Sequence, residues 1–348
     1  MSSSDLEFFR SRRTDFPSLQ RTEQGSPLVF FDGPAGTQVP SSVLEAVSHY
    51  YRTCNANTHG QFVTTRESDE LIAAARRTVA AFLGADSEAT VSFGANMTTL
   101  NFSLSKAIGR ALKPGDEILI TQLDHEANRG PWLTLSERGA VVREILLKPD
   151  GTLDYDDLKQ KLTDRTRLLA MGMASNALGT VNNVRLAREL TRANRTWLLL
   201  DAVHYAPHFP IDIRGLDPDF LLCSAYKFYG PHVGILYARP GLLDELPTDR
   251  LRTQDPAAPY RIETGTLNHA AIAGVKAAVE YIASCGYGSH LRDRIVSGME
   301  RIARHEHILA SRLYDGISSI PSVTVIGQSF VSSHRAPTIS FTMEGKTP

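Results

Sequence analysis

A lysine lies where the chain gives it no ordinary reason to be. In "FLLCSAYKFYGPHVGILY" (Phe220–Tyr237) two apolar runs of strand length flank a turn, and Lys227 sits in that turn between Tyr226 and Phe228. Lysine is almost never buried without a partner. One candidate partner is Asp201, which closes the apolar run "TWLLLD". A buried carboxylate needs a cation or hydrogen-bond donors. From these two residues alone, a structural Asp–Lys ion pair, or an Asp capping the next loop, accounts for the pattern as well as chemistry does.

Four further loops change the balance. "SFGANMTTLN" places Ala95, Asn96 and Met97 between a strand and a helix. A helix N-terminus offers free N–H groups and a positive dipole end to a phosphate. "LDHEANRGPW" offers the ring of His125, "MASNALGT" the amide of Asn176, and "ETGTLN" a turn containing Gly265 and Thr266. Each is ordinary alone. Together they supply a phosphate cradle, a stacking ring, an amide, a carboxylate and a lysine. Pyridoxal 5′-phosphate uses all five. Its aldehyde can form a Schiff base with a lysine, its ring nitrogen faces a carboxylate, and its phosphate suits a helix start.

These loops need a scaffold that delivers them to one place. "TVSFG", "EILITQL", "VVREILL", "RLLAMGMA", "TWLLLDAV", "FLLCSAY" and "GILYAR" read as strands, most of them apolar on both faces. That is the pattern of a covered parallel sheet. Helical spacing intervenes after "SFGAN" and over 131–138, 153–162 and 184–194, so the expectation is an α/β sheet with helices on both faces. In such sheets ligands bind outside the carboxyl ends of the strands. After Thr264 the pattern changes to two helices, one long and amphipathic, and two short strands, "VTVIG" and "APTISFTME". The expected organisation is an N-terminal segment over 1–28, a large domain over 29–270, and a linking helix with a smaller α+β domain over 271–348. That domain would be thinly covered, so it is minimal or continues past Pro348.

At this point a family resemblance is legible. "DAVHYAPHFPIDI" and "CSAYKFYGPHVGILY" resemble the paired signature segments of the class V aminotransferase family of fold-type-I pyridoxal phosphate enzymes, and within it the cysteine desulfurase-like branch. The resemblance implies a mostly parallel seven-stranded large domain and an enzyme acting on a small amino acid. It implies that Lys227 binds the cofactor covalently and shuttles protons, Asp201 pairs with the ring nitrogen and His125 stacks on the ring. Asn176 would reach the ring hydroxyl or the substrate carboxylate, and His204, where many relatives carry Gln, would also lie near that hydroxyl. Ser224 with Ala95, Asn96 and Met97 would hold the phosphate, joined by Gly265 and Thr266 from a partner subunit of a homodimer. Tyr226 stands where many desulfurases have His.

Desulfuration through a persulfide needs a mobile-loop cysteine, and none of Cys54, Cys223 and Cys285 lies in a loop of that kind. Arg335 is the only late candidate for gripping a substrate carboxylate. Desulfurase or C–S lyase chemistry therefore stands beside transamination or epimerisation, with a catalytically silent cofactor-binding protein as a third reading. Net charge is −1 over 348 residues, with acids and bases interspersed. This argues against nucleic acid or an anionic membrane as main partner. No apolar run approaches the ~18 residues of a spanning helix. An odd, widely spaced set of three cysteines fits a reducing, cytoplasmic setting.

Overall fold

A computed structural model describes residues 3–331 and 334–347; the expectation tied to Pro348 lies outside them. All seven expected strands form one sheet: β1 (Val91–Gly94), β2 (Glu117–Thr121), β3 (Val141–Ile145), β4 (Thr166–Gly172), β5 (Trp197–Asp201), β6 (Phe220–Ser224) and β7 (Gly234–Ala238). Their spatial order is β1-β7-β6-β5-β4-β2-β3. Only β7 runs antiparallel to its neighbours; every other adjacent pair is parallel.

The strands are apolar on both faces because both faces are covered. Leu198 and Leu200 of β5 join one core with Val79 and Phe82 of the helix Val63–Leu83 and with Ile282 and Met299 of the C-terminal helices. Leu199, between them, joins the opposite core with Leu104 and Ile108 of the helix Met97–Ala111 and with Trp132. This period of two is the pleat of a strand. Truncating such a fully buried leucine to alanine costs about 2–5 kcal/mol.

The helices His269–Ser284 and Leu291–Ser318 follow the sheet, then β8 (Val323–Ile326) and β9 (Ser340–Met343), which pair antiparallel. The N-terminal helix Ser3–Arg12 lies against these helices: Asp5 pairs with Arg301 at 2.8 Å, and Arg12 donates to the Ser284 carbonyl at 3.1 Å.

Two local readings need correction, and two helices were not among the expected elements. The stretch 131–138 is one helical turn, Gly130–Leu133, continued by a 3₁₀ segment. "APTISFTME" is strand only over Ser340–Met343, because Ala336 instead donates to the Gly179 carbonyl and Arg335 bridges to Thr180. Two long helices, Ser41–Thr53 and Val63–Leu83, precede β1. Apolar spacing at Ile72, Ala75, Val79 and Phe82 marks the second.

Candidate functional site

The carboxyl ends of β1, β4, β5 and β6 reach one edge of the sheet, and β7 begins there, since Gly94 and Ser224 both pair with Gly234. A cavity opens at this edge. Its lining brings together Asn96, Met97, His125, Asn176, Asp201, His204, Ser224, Tyr226 and Lys227, from separate loops.

Lys227 follows β6 in a single 3₁₀ turn and is 7% exposed. Its ammonium donates to the carbonyl of Pro34 and lies 4.9 Å from the centroid of the Tyr226 ring. Burial lowers its pKa, while Asp201 and Asp32 pull it back up. Asp201 accepts a hydrogen bond from the Val203 N–H at 2.8 Å. Burial raises its carboxyl to about 6, against the opposing effects of the Val203 N–H and Lys227. So the structural Asp–Lys ion pair is not what the chain builds. Each group is buried, each takes a backbone partner, and both face the same cavity.

One corner of the cavity is the start of a helix. Asn96 caps the helix Met97–Ala111, accepting from the Thr99 N–H at 2.9 Å, and Thr99 returns the contact in a capping box. The Met97 N–H donates to Ser224 Oγ at 3.1 Å, which locks the helix start to the end of β6. Gly234 makes this approach possible, because a Cβ there would lie 2.3 Å from the Asn96 carbonyl carbon. Ala95 is exposed and lines a neighbouring hollow with Thr264 and Thr266, outside the Lys227 cavity.

His125 is exposed on the cavity rim, and its Nδ1 accepts from the Ala127 N–H at 3.0 Å. That bond fixes the ring's orientation and places the proton of the neutral ring on Nε2. His204 is buried at 4% exposure, with Nε2 2.8 Å from Thr338 Oγ1 and Nδ1 without any partner. Burial, with His208 and Lys227 adding repulsion, holds its pKa down at about 2, so the ring is neutral.

Asp124 was not among the expected residues. It precedes His125, lines the cavity, and accepts from the Gly172 N–H and from Asn128 Nδ2 at 3.4 Å. Gly172 ends β4, between β2 and β5, and is the register partner of Asp201, so the Asp124 carboxylate bound to its N–H reaches across to the strand end that carries Asp201. A side chain at Gly172 would strike Asp124 Oδ1 at 2.7 Å. Burial, then repulsion from Asp201, raises Asp124 to about 7. The available signal was its place next to His125 at the end of an apolar strand.

Gly265 and Thr266 lie outside this cavity. They border two other hollows, with Gly265 at φ +83°. The loop is held by Glu263, which grips Arg76 through two contacts of 2.7 and 2.6 Å and accepts from the Phe93 N–H at 2.6 Å. Arg335 is buried at 4% exposure, and its guanidinium is spent on the carbonyls of Leu178, Gln328 and Thr338. It braces the C-terminal segment and does not line the cavity. Among the described residues, Lys227 is the one lysine or arginine that does. All three cysteines are buried and unpaired, and none lines the cavity.

The fold and this edge define the architecture of a fold-type-I enzyme, and comparisons with known proteins place it within a family. The family model for aminotransferase class-V matches residues 29–348. The chain belongs to the class V aminotransferase family, a family of enzymes. Among its relatives is a cysteine desulfurase of Synechococcus elongatus, 36% identical over 351 residues, covering 97% of this chain and 54% of that protein. The chain thus spans about half the length of this relative. A cysteine desulfurase of Salmonella gallinarum is 34% identical, covering 90% of this chain and 79% of that one. The apo structure of a cysteine desulfurase from Thermococcus onnurineus superposes with a TM-score of 0.86 at 26% identity, covering 97% of this chain and 83% of that one.

Proposed function

We propose that the Lys227 cavity holds pyridoxal 5′-phosphate and that the chain is a cysteine desulfurase-like enzyme acting on a small amino acid. The carrying observation is the convergence, in one cavity, of a buried lysine and a buried carboxylate that do not pair with each other. The groups present fit the cofactor. A lysine with a lowered pKa can attach an aldehyde, a carboxylate awaits a cation, a capped helix start awaits an anion, and His204 Nδ1 awaits a partner.

When bound, the cofactor supplies an electron sink for the bonds at the substrate α-carbon. The chain's own residues do the rest. Lys227 presents a nucleophilic amine, because burial disfavours its charged form, and later carries a proton at Nζ. Asp201 holds a proton on the ring nitrogen opposite it; a cation placed there restores its ionised form. His125 covers one ring face. Asn176 and His204 serve the ring-oxygen side. Ser224 and the helix start at Asn96 and Met97 hold the phosphate, the Met97 N–H turning to it from Ser224 Oγ. Gly265 and Thr266, exposed and outside this cavity, serve the site of a partner subunit in a homodimer. The segments 1–28, 29–270 and 271–348 are the proposed domain divisions. Three unpaired cysteines support a cytoplasmic setting, and among the described residues no helix is long and apolar enough to cross a membrane.

One observation favours a second reading. No cysteine lines the cavity among the described residues. This supports transamination or epimerisation on the same scaffold. The deciding experiment soaks the protein with pyridoxal 5′-phosphate, reduces with borohydride and maps the label. The label belongs on Lys227, and an unlabelled Lys227 refutes the cofactor reading. Incubation with cysteine, or with alanine and a 2-oxo acid, then separates sulfide release from amino-group exchange.

A further inference from the structure

We infer that Thr338 is a positioning residue for His204: its hydroxyl donates to His204 Nε2, which leaves the proton on Nδ1 and makes that nitrogen a hydrogen-bond donor at the Lys227 cavity. The inference rests on the cofactor reading above and extends it to a residue beyond the main sheet. His204 and Thr338 are 134 positions apart, yet Nε2 and Oγ1 are 2.8 Å apart and both residues are buried. A neutral imidazole has one donor and one acceptor nitrogen, and the bond made by one decides the role of the other. Here only one nitrogen is engaged. Nδ1 is buried and has no partner on the protein, although its residue lines the cavity beside Asp201 and Lys227.

An unsatisfied buried nitrogen is costly unless a ligand completes it. The cofactor's ring oxygen is a hydrogen-bond acceptor and so needs a donor. Only the tautomer with the proton on Nδ1 provides one, and that tautomer requires Nε2 to accept. Thr338 must therefore donate. Thr338 is itself held in place, since the Arg335 guanidinium grips its carbonyl and Ala336 donates to the Gly179 carbonyl at 2.8 Å. The segment leading into β9 thus fixes a donor at the cavity through one hydroxyl.

The test is side-chain ¹⁵N–¹H NMR of His204 in the unloaded protein, with Thr338→Val and Thr338→Ser. The native protein should show the proton on Nδ1, Thr338→Ser should keep it, and Thr338→Val should move it to Nε2 or mix the two. On loading, Thr338→Val should weaken cofactor binding about tenfold, the effect of one hydrogen bond to a charged group, and shift the visible absorption band. Thr338→Ser should do neither. A native spectrum with the proton on Nε2 overturns the inference, even if Thr338→Val fails to fold. So does a folded Thr338→Val whose tautomer and absorption match the native protein. If the native tautomer is as stated but no cofactor is taken up, the cofactor reading fails while the assignment of Thr338 stands.

Discussion

Replacing Asp124 by Asn should change how stability depends on pH, in a direction the site dictates. Asp124 is raised from 3.8 to about 7, chiefly by burial and then by Asp201. A carboxyl raised in the folded state favours folding only while protonated. Its contribution is complete below about pH 4 and is lost as pH rises through about 7. A shift of roughly three units is about 4 kcal/mol at 1.36 kcal/mol per unit. That figure is a ceiling, because part of the shift is shared with Asp201, itself raised to about 6. Asn keeps the shape and can still accept from the Gly172 N–H, but carries no charge at any pH. At low pH the variant should equal the native protein or fall slightly below it, since Asn128 Nδ2 loses its acceptor. Near pH 8 it should be more stable by about 1–4 kcal/mol. The assay is urea unfolding of the unloaded protein across this range at fixed protein concentration. A stability difference that stays constant with pH would refute the argument that the two carboxylates share one low-dielectric wall.

Three other outcomes follow from the same geometry. Glu263→Gln leaves the Arg76 guanidinium, 4% exposed on its side chain, without its carboxylate; the loss should be about 3–5 kcal/mol, and clearly smaller for the double variant Arg76→Met/Glu263→Met. Equal losses in denaturant melts would remove the ion pair from the account of the Gly265–Thr266 loop. Arg335→Met should lower stability by on the order of 3 kcal/mol and leave KM for the amino acid unchanged; a KM raised tenfold with stability intact would restore Arg335 as the carboxylate grip. Finally, a thiol reagent should label none of Cys54, Cys223 and Cys285 until the protein unfolds, because all are buried and burial raises the Cys223 and Cys285 thiols. Rapid labelling of one would return it to the chemistry.

Much of the large domain was legible because its strands are short, apolar and separated by turns. β5 and β6 announce themselves, and both end on the residues that matter, Asp201 and the approach to Lys227. The helices Ser41–Thr53 and Val63–Leu83 escaped although the second carries an apolar stripe at Ile72, Ala75, Val79 and Phe82; polar residues such as Arg66, Glu67, Asp69 and Glu70 fill its first turns and hide where it starts. Arg335 looked free as a sequence symbol. Its partners are backbone carbonyls, two nearby at Gln328 and Thr338 and one far along the chain at Leu178, and no residue pattern reveals that they occupy it. Asp124 was overlooked beside the more conspicuous His125, since only the neighbouring strand end shows that its carboxylate adjoins Asp201.

The order of residue types along the chain determined which groups were available: an amine, a carboxylate, a ring, an amide and a helix start, each at a strand end. Side-chain chemistry and strand periodicity are local properties, and a linear sequence carries them. Tertiary structure alone decided that Lys227 and Asp201 remain apart, that His204 answers to Thr338, and that Arg335 is occupied. Those outcomes depend on distances between residues more than a hundred positions apart, or on burial that sets a pKa, and both exist only once the chain has closed on itself.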